Sequence, residues 1–93
     1  MSRTAQTLAE RIHELRFESK LTQDETAARL GISRMALSHF ETRKRRPGIV
    51  MLVTIADHFN VTTDYLLGRT NERSMLNVTA SERTNSRMRK SQL

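Results

Sequence analysis

The side chains best equipped for chemistry in this 93-residue chain sit close together: Arg34, Ser38 and His39, followed at once by the four consecutive cations Arg43-Lys44-Arg45-Arg46. They form no catalytic set. The chain has no Cys, no Gly-rich phosphate loop, no Ser with an evident general base, and no carboxylate or histidine cluster at ligand spacing. His13, His39 and His58 are far apart in sequence, so no metal site is expected. What these residues can do is recognise. A guanidinium presents parallel N–H donors that fit guanine O6 and N7 or a phosphate, and hydroxyl and imidazole groups can reach base edges or backbone oxygens. A cationic run neutralises phosphates. Each residue taken alone would also suit a solvated surface, but their grouping predicts a cofactor-free, non-enzymatic binder of a polyanion.

The element that must carry them is a helix from Ser33 to Thr42. Stepping about 100° per residue puts Ala36, Leu37 and Phe40 on one side and Arg34, Met35, Ser38, His39 and Thr42 on the other. One side is core and the other is hydrogen-bonding groups plus one Met. Before it, Thr22-Gln23-Asp24-Glu25 has the form of a capping box, and Ala27, Ala28, Leu30 and Gly31 complete a two-turn helix with a C-cap glycine. A helix, a Gly-containing turn of about three residues and a second helix make the helix-turn-helix layout. Thr7-Leu8-Ala9-Glu10 is another capping box, predicting a first helix from Thr7 to about Ser19 with Leu8, Ile12 and Leu15 as its apolar stripe. Pro47-Gly48 breaks the chain. Ile49, Leu52, Ile55, Ala56 and Phe59 then give a fourth helix, with Val50 and Met51 off its core face, and Thr62-Thr63-Asp64 opens a short fifth before Gly68. The expected fold is all-α: a compact five-helix domain over residues 1–68 and a basic, flexible C-terminal tail over 69–93.

Composition agrees. Aromatic residues are 4% and there is one Pro, which suits packed helices, and so short a chain leaves little room for an elaborate cavity. No signal peptide or membrane-spanning run is expected and nothing suggests secretion, so the reading is cytoplasmic. The formal net charge of +6 would suit nucleic acid, a membrane surface or a ribosome. Its distribution narrows the choice: residues 1–68 carry +2, with four of their ten positive charges in the run 43–46, and residues 69–93 carry +4. A binder working through charge alone does not need the mixed polar surface of the third helix.

From Leu21 to Glu41, and again from Arg46-Pro47 through Ile55-Ala56-Asp57-His58-Phe59-Asn60-Val61-Thr62-Thr63-Asp64-Tyr65-Leu66-Leu67-Gly68, the chain resembles the phage repressor and Cro-like (Xre-type) helix-turn-helix family. The resemblance covers about residues 7–68 and implies a lambda-repressor-like fold whose third helix reads the major groove of double-stranded DNA. By position it implies base reading by Arg34, Met35, Ser38 and His39. It implies phosphate contacts from Gln23, which also braces the recognition helix, and from Ser33, Thr42, Arg43, Lys44, Arg45 and Arg46. It also implies a structural salt bridge between Arg16 and Glu41. Three positions depart from the family pattern. Thr26 replaces a usual Leu, predicting a polar-capped or looser site. Thr42-Arg43 replaces a common Asn-Gly, which leaves room for a longer third helix. Met35 replaces a polar reader and would offer apolar contact to a thymine methyl. The implied function is a transcriptional regulator, in its simplest form a repressor on an inverted-repeat operator, acting as a homodimer with Val50 and Met51 as candidate dimer contacts. The alternative is an antitoxin or restriction-modification controller that uses the same module with a protein partner, for which the tail is the candidate segment.

Overall fold

Local sequence signals account for most of the helix boundaries in the computed structural model, which describes residues 3–74. The elements are α1 (Arg3–Glu18), α2 (Gln23–Leu30), α3 (Arg34–Glu41), α4 (Ile49–Phe59) and α5 (Thr63–Leu66), with no strand among the described residues. The Thr22 hydroxyl accepts from Glu25 N and the Glu25 carboxylate accepts from Thr22 N, so two otherwise orphan amides at the start of α2 are satisfied reciprocally. Gly31 closes the helix in the left-handed conformation, with φ 75°, and its N–H and that of Ile32 return to the last turn. Ser33 caps α3 by accepting from Ala36 N, and Thr62 caps α5 by accepting from Tyr65 N.

Each helix places one fully buried side chain at the centre: Ile12, Thr26, Leu37, Ile55 and Leu66. Burying an aliphatic side chain of this size is worth about 1.5–3 kcal/mol, so these positions hold the helices together in a way that short α2, α3 and α5 could not achieve alone. Thr26 is the polar exception. It is wholly inaccessible and its Oγ1 has no hydrogen-bond partner. The site is therefore neither capped nor open, and it carries an unsatisfied hydroxyl that costs about 1–3 kcal/mol.

Several sequence expectations need correcting. Helix α1 starts at Arg3, a turn before the Thr7 capping box, and buries Ala5. Thr7 serves as a packing residue: a Cβ on Gly68 (φ 81°) would lie 2.9 Å from Thr7 Cγ2. Helix α3 does not lengthen past Thr42. Arg43 itself takes the left-handed conformation, φ 69°, that Gly would otherwise supply. Helix α4 keeps its expected phase at Leu52, Ile55, Ala56 and Phe59 and departs from it only in the first turn. Ile49, assigned to the core face, is 80% exposed beside Val50 and Val53, whereas Met51 packs against the core. Ile49 opens α4 directly after the exposed Gly48, and the helix reaches the core only from Met51 and Leu52 onward.

The chain also remains packed beyond Gly68. Arg73 O accepts from Thr62 N at 2.8 Å, and the Arg73 guanidinium reaches both Glu18 carboxylate oxygens at 2.7 and 2.9 Å. Arg11 donates to the carbonyls of Tyr65 and Thr70 and to Asn71 Oδ1, while its guanidinium lies 4.1 Å from the centroid of the Tyr65 ring. A boundary at Gly68 thus leaves out residues 69–74, which strap α1 to α5. The rest of the expected tail, 75–93, lies outside the described residues.

Candidate nucleic-acid interface

Helix α3 is pinned from beneath by Leu37 and Phe40, both buried, and this fixes which side chains point outward. Arg34 and Met35 are exposed, Met35 to 67%, and Ser38 and His39 are half-buried beside them. Ala36, expected in the core, is half-buried. The structure thus brings Arg34, Met35, Ser38 and His39 to the accessible part of one helix, which offers donors, a hydroxyl, an imidazole and one polarisable apolar surface.

The loop after α3 is folded back on that helix. Lys44 N and Arg45 N both donate to His39 O, at 3.0 and 3.2 Å, and the αL turn at Arg43 makes this closure possible. Arg43, Lys44, Arg45 and Arg46 are all exposed, and among the described residues no carboxylate forms an ion pair with them. A polyanion would therefore meet four cations without displacing internal partners. Thr42 differs from its neighbours. Its hydroxyl donates to Ser38 O at 2.9 Å and its N–H to the same carbonyl at 3.0 Å, so both donors needed to hold a phosphate oxygen are already engaged. Ser33 uses its hydroxyl oxygen as an acceptor for the cap, which leaves the proton for an outside acceptor.

Beneath the outward face lies a polar junction. Glu41, at the end of α3 with its side chain 3% exposed, accepts from Arg16 Nε at 2.7 Å, Arg16 Nη2 at 3.1 Å and Gln23 Nε2 at 3.2 Å; His13 Nδ1 lies 3.1 Å away. Arg16 also donates to Leu21 O, tying the turn between α1 and α2. Burial pushes the Glu41 carboxyl up, but the hydrogen bonds of Arg16, His13 and Gln23, with the Arg16 charge, outweigh this and leave it below the usual carboxylate value. Gln23 continues the chain outward: its Oε1 accepts from Arg34 Nη1 at 3.4 Å, and Asp24 Oδ1 lies 3.5 Å from Arg34 Nε. Neither His13 nor the link from Glu41 through Gln23 was found from the sequence. The only signal there was that His13 and Arg16 sit three apart on one helix and so share a face.

Comparison with known proteins puts these features in a family. A helix-turn-helix family profile matches residues 12–66. The chain is 37% identical over 81 residues to the HTH-type transcriptional regulator ImmR of Bacillus subtilis, a match covering 82% of this chain and 64% of that protein. That share is larger than residues 1–68 make up, so the similarity runs past Gly68. It is 40% identical over 58 residues to the HTH-type transcriptional activator BcrR of Enterococcus faecalis, covering 62% of this chain and 28% of that protein. The chain thus spans less than two thirds of the length of these curated relatives. Among solved structures, the P22 c2 repressor in complex with a synthetic operator superposes with a TM-score of 0.62 at 28% identity, covering 64% of this chain and 91% of that one.

Proposed function

The chain belongs to the helix-turn-helix family, and from that premise we propose that it is a cytoplasmic, sequence-specific DNA-binding transcriptional regulator, acting as a repressor rather than as an enzyme. The observation that carries this reading is the division of α3: Leu37 and Phe40 are committed to the core while Arg34, Met35, Ser38 and His39 face outward, beside a run of four exposed cations. Helix α3 enters the major groove of double-stranded DNA. Arg34 donates to a guanine edge, Met35 touches a thymine methyl, and Ser38 and His39 reach neighbouring bases. Gln23, Ser33, Arg43, Lys44, Arg45 and Arg46 meet phosphates, which sets affinity more than sequence choice. Thr42 is the weakest member of the phosphate set, because its donors are already spent within α3.

A two-fold operator asks for two copies of the chain. Val50, with Ile49 and Val53 beside it, forms an exposed aliphatic patch at the start of α4, directly after the cationic run. This patch is the candidate contact between the two copies of a homodimer on the operator. Selection of bound sites from random DNA tests the whole reading. Wild type should yield an inverted repeat, and Arg34→Ala and His39→Ala should each relax preference at their own base position. Recovery of no preferred site would refute it.

A further inference from the structure

Gln23 has an amide whose two ends are chemically opposite, and its surroundings allow one orientation. Toward the protein interior it meets Glu41, a carboxylate that can only accept; toward the outside it meets the guanidinium of Arg34, which can only donate. With Nε2 toward Glu41 (3.2 Å) and Oε1 toward Arg34 (3.4 Å), both contacts are attractive. Flipping the amide would set oxygen against carboxylate and N–H against guanidinium. We propose that Glu41 is a positioning residue for base reading: by holding Nε2 of Gln23 it turns Oε1 toward Arg34, and so aims the Arg34 guanidinium before DNA arrives.

The inference rests on the reading of α3 as the base-reading helix. Asp24 holds Arg34 from a second side, through Nε at 3.5 Å, so the guanidinium is bracketed by two residues of α2. Glu41 is itself fixed, by Arg16 from α1 and by its own burial, and offers a rigid anchor where an exposed acid would not. The second N–H of Gln23 Nε2 stays available for a phosphate, so bracing and backbone contact do not compete. Holding a long side chain near its bound orientation reduces the entropy lost on binding, which is worth about 2- to 10-fold in affinity for the correct base.

The test is the ratio of affinities for two operators that differ only at the base pair read by Arg34. This ratio cancels the fraction of folded protein, so a merely structural role of Glu41 would not move it. Glu41→Asp keeps the charge facing Arg16 but draws the carboxylate back from Gln23; Gln23→Met removes the amide while sparing the salt bridge. Each should lower the ratio about 2- to 10-fold, and the two combined should lower it no further than Gln23→Met alone. If Arg34→Ala abolishes discrimination at that position while Glu41→Asp and Gln23→Met leave the ratio unchanged, the positioning role is wrong and the functional reading stands. If the two variants lower it independently and additively, the relay through Gln23 is also overturned. If Arg34→Ala leaves discrimination intact, the base-reading assignment falls, and the positioning role with it.

Discussion

Helix α1 is held by an arginine at each of two places, and the two are built differently. At its C-terminal end Arg16 lies against a carboxylate from α3 that is nearly inaccessible, so charge meets charge inside the protein. One turn and a half earlier, Arg11 grips neutral oxygens, the carbonyls of Tyr65 and Thr70 and the amide of Asn71, and lies over the Tyr65 ring. The first arrangement joins the recognition helix to the scaffold. The second closes the strap that follows α5. A buried ion pair contributes little net stability when intact and costs much when one member is removed, whereas an arginine on carbonyls acts as a set of ordinary charge-assisted hydrogen bonds. The junction beneath α3 is built to keep its geometry fixed, and the strap is built to hold.

The contrast can be broken by measurement. Arg16→Ala leaves Glu41 buried with only His13 and Gln23 beside it, and should cost about 3 kcal/mol in urea unfolding; a loss below about 1 kcal/mol would show that Glu41 hydrates and that the junction is not dry. Ending the chain after Gly68 removes the acceptors Thr70 and Asn71 and the bond from Thr62 N to Arg73 O. Measured against a chain ending at Ser74, this should cost about 2 kcal/mol, with the ratio of affinities for operator variants unchanged. A shift in that ratio would mean that the strap and the reading face are coupled.

Acid should separate the two sites further. The Glu41 carboxyl is held below its unfolded value, so its contribution to stability is present above about pH 4.5 and is lost as pH falls through the lower folded value. The stability gap between wild type and Glu41→Gln should therefore narrow below about pH 4.5, while the gap to Arg11→Ala, whose acceptors do not titrate, should stay constant. Equal narrowing in both would contradict the assignment. The smallest effect expected is that of Arg73→Gln: its pairing with Glu18 lies on the surface, so the loss should be slight and should fade as salt rises.

How much of this was legible in the sequence depended on whether the signal was local. The Thr22 capping box and the Gly31 stop read correctly because a cap is satisfied within four residues, whereas the Thr7 box misplaced the start of α1, which runs a turn further to bury Ala5. On α3, Leu37 and Phe40 read correctly as the buried side because they repeat at helical spacing. The face of α4 read correctly from Leu52 to Phe59 but not at Ile49, which fits the apolar period yet is the first residue of the helix and stays exposed, because burial at a helix start depends on neighbours remote in sequence. The strap was missed for a related reason. Arg11 and Arg73 look like solvent-facing charges until the fold sets them 4.1 and 5.4 Å from the same tyrosine ring. The pairing of Arg16 with Glu41 came only through family resemblance, because residues 25 apart carry no periodic signature.

Arg43 shows what an engineer would be tempted to change. A β-carbon in the left-handed conformation costs about 1 kcal/mol, and Arg43→Gly would recover it. The same change would remove one of four exposed cations and reduce the salt dependence of DNA binding by about 0.9 in log-log slope. A variant selected for heat tolerance alone would therefore drift toward glycine at this position, and would be the poorer binder in ordinary salt.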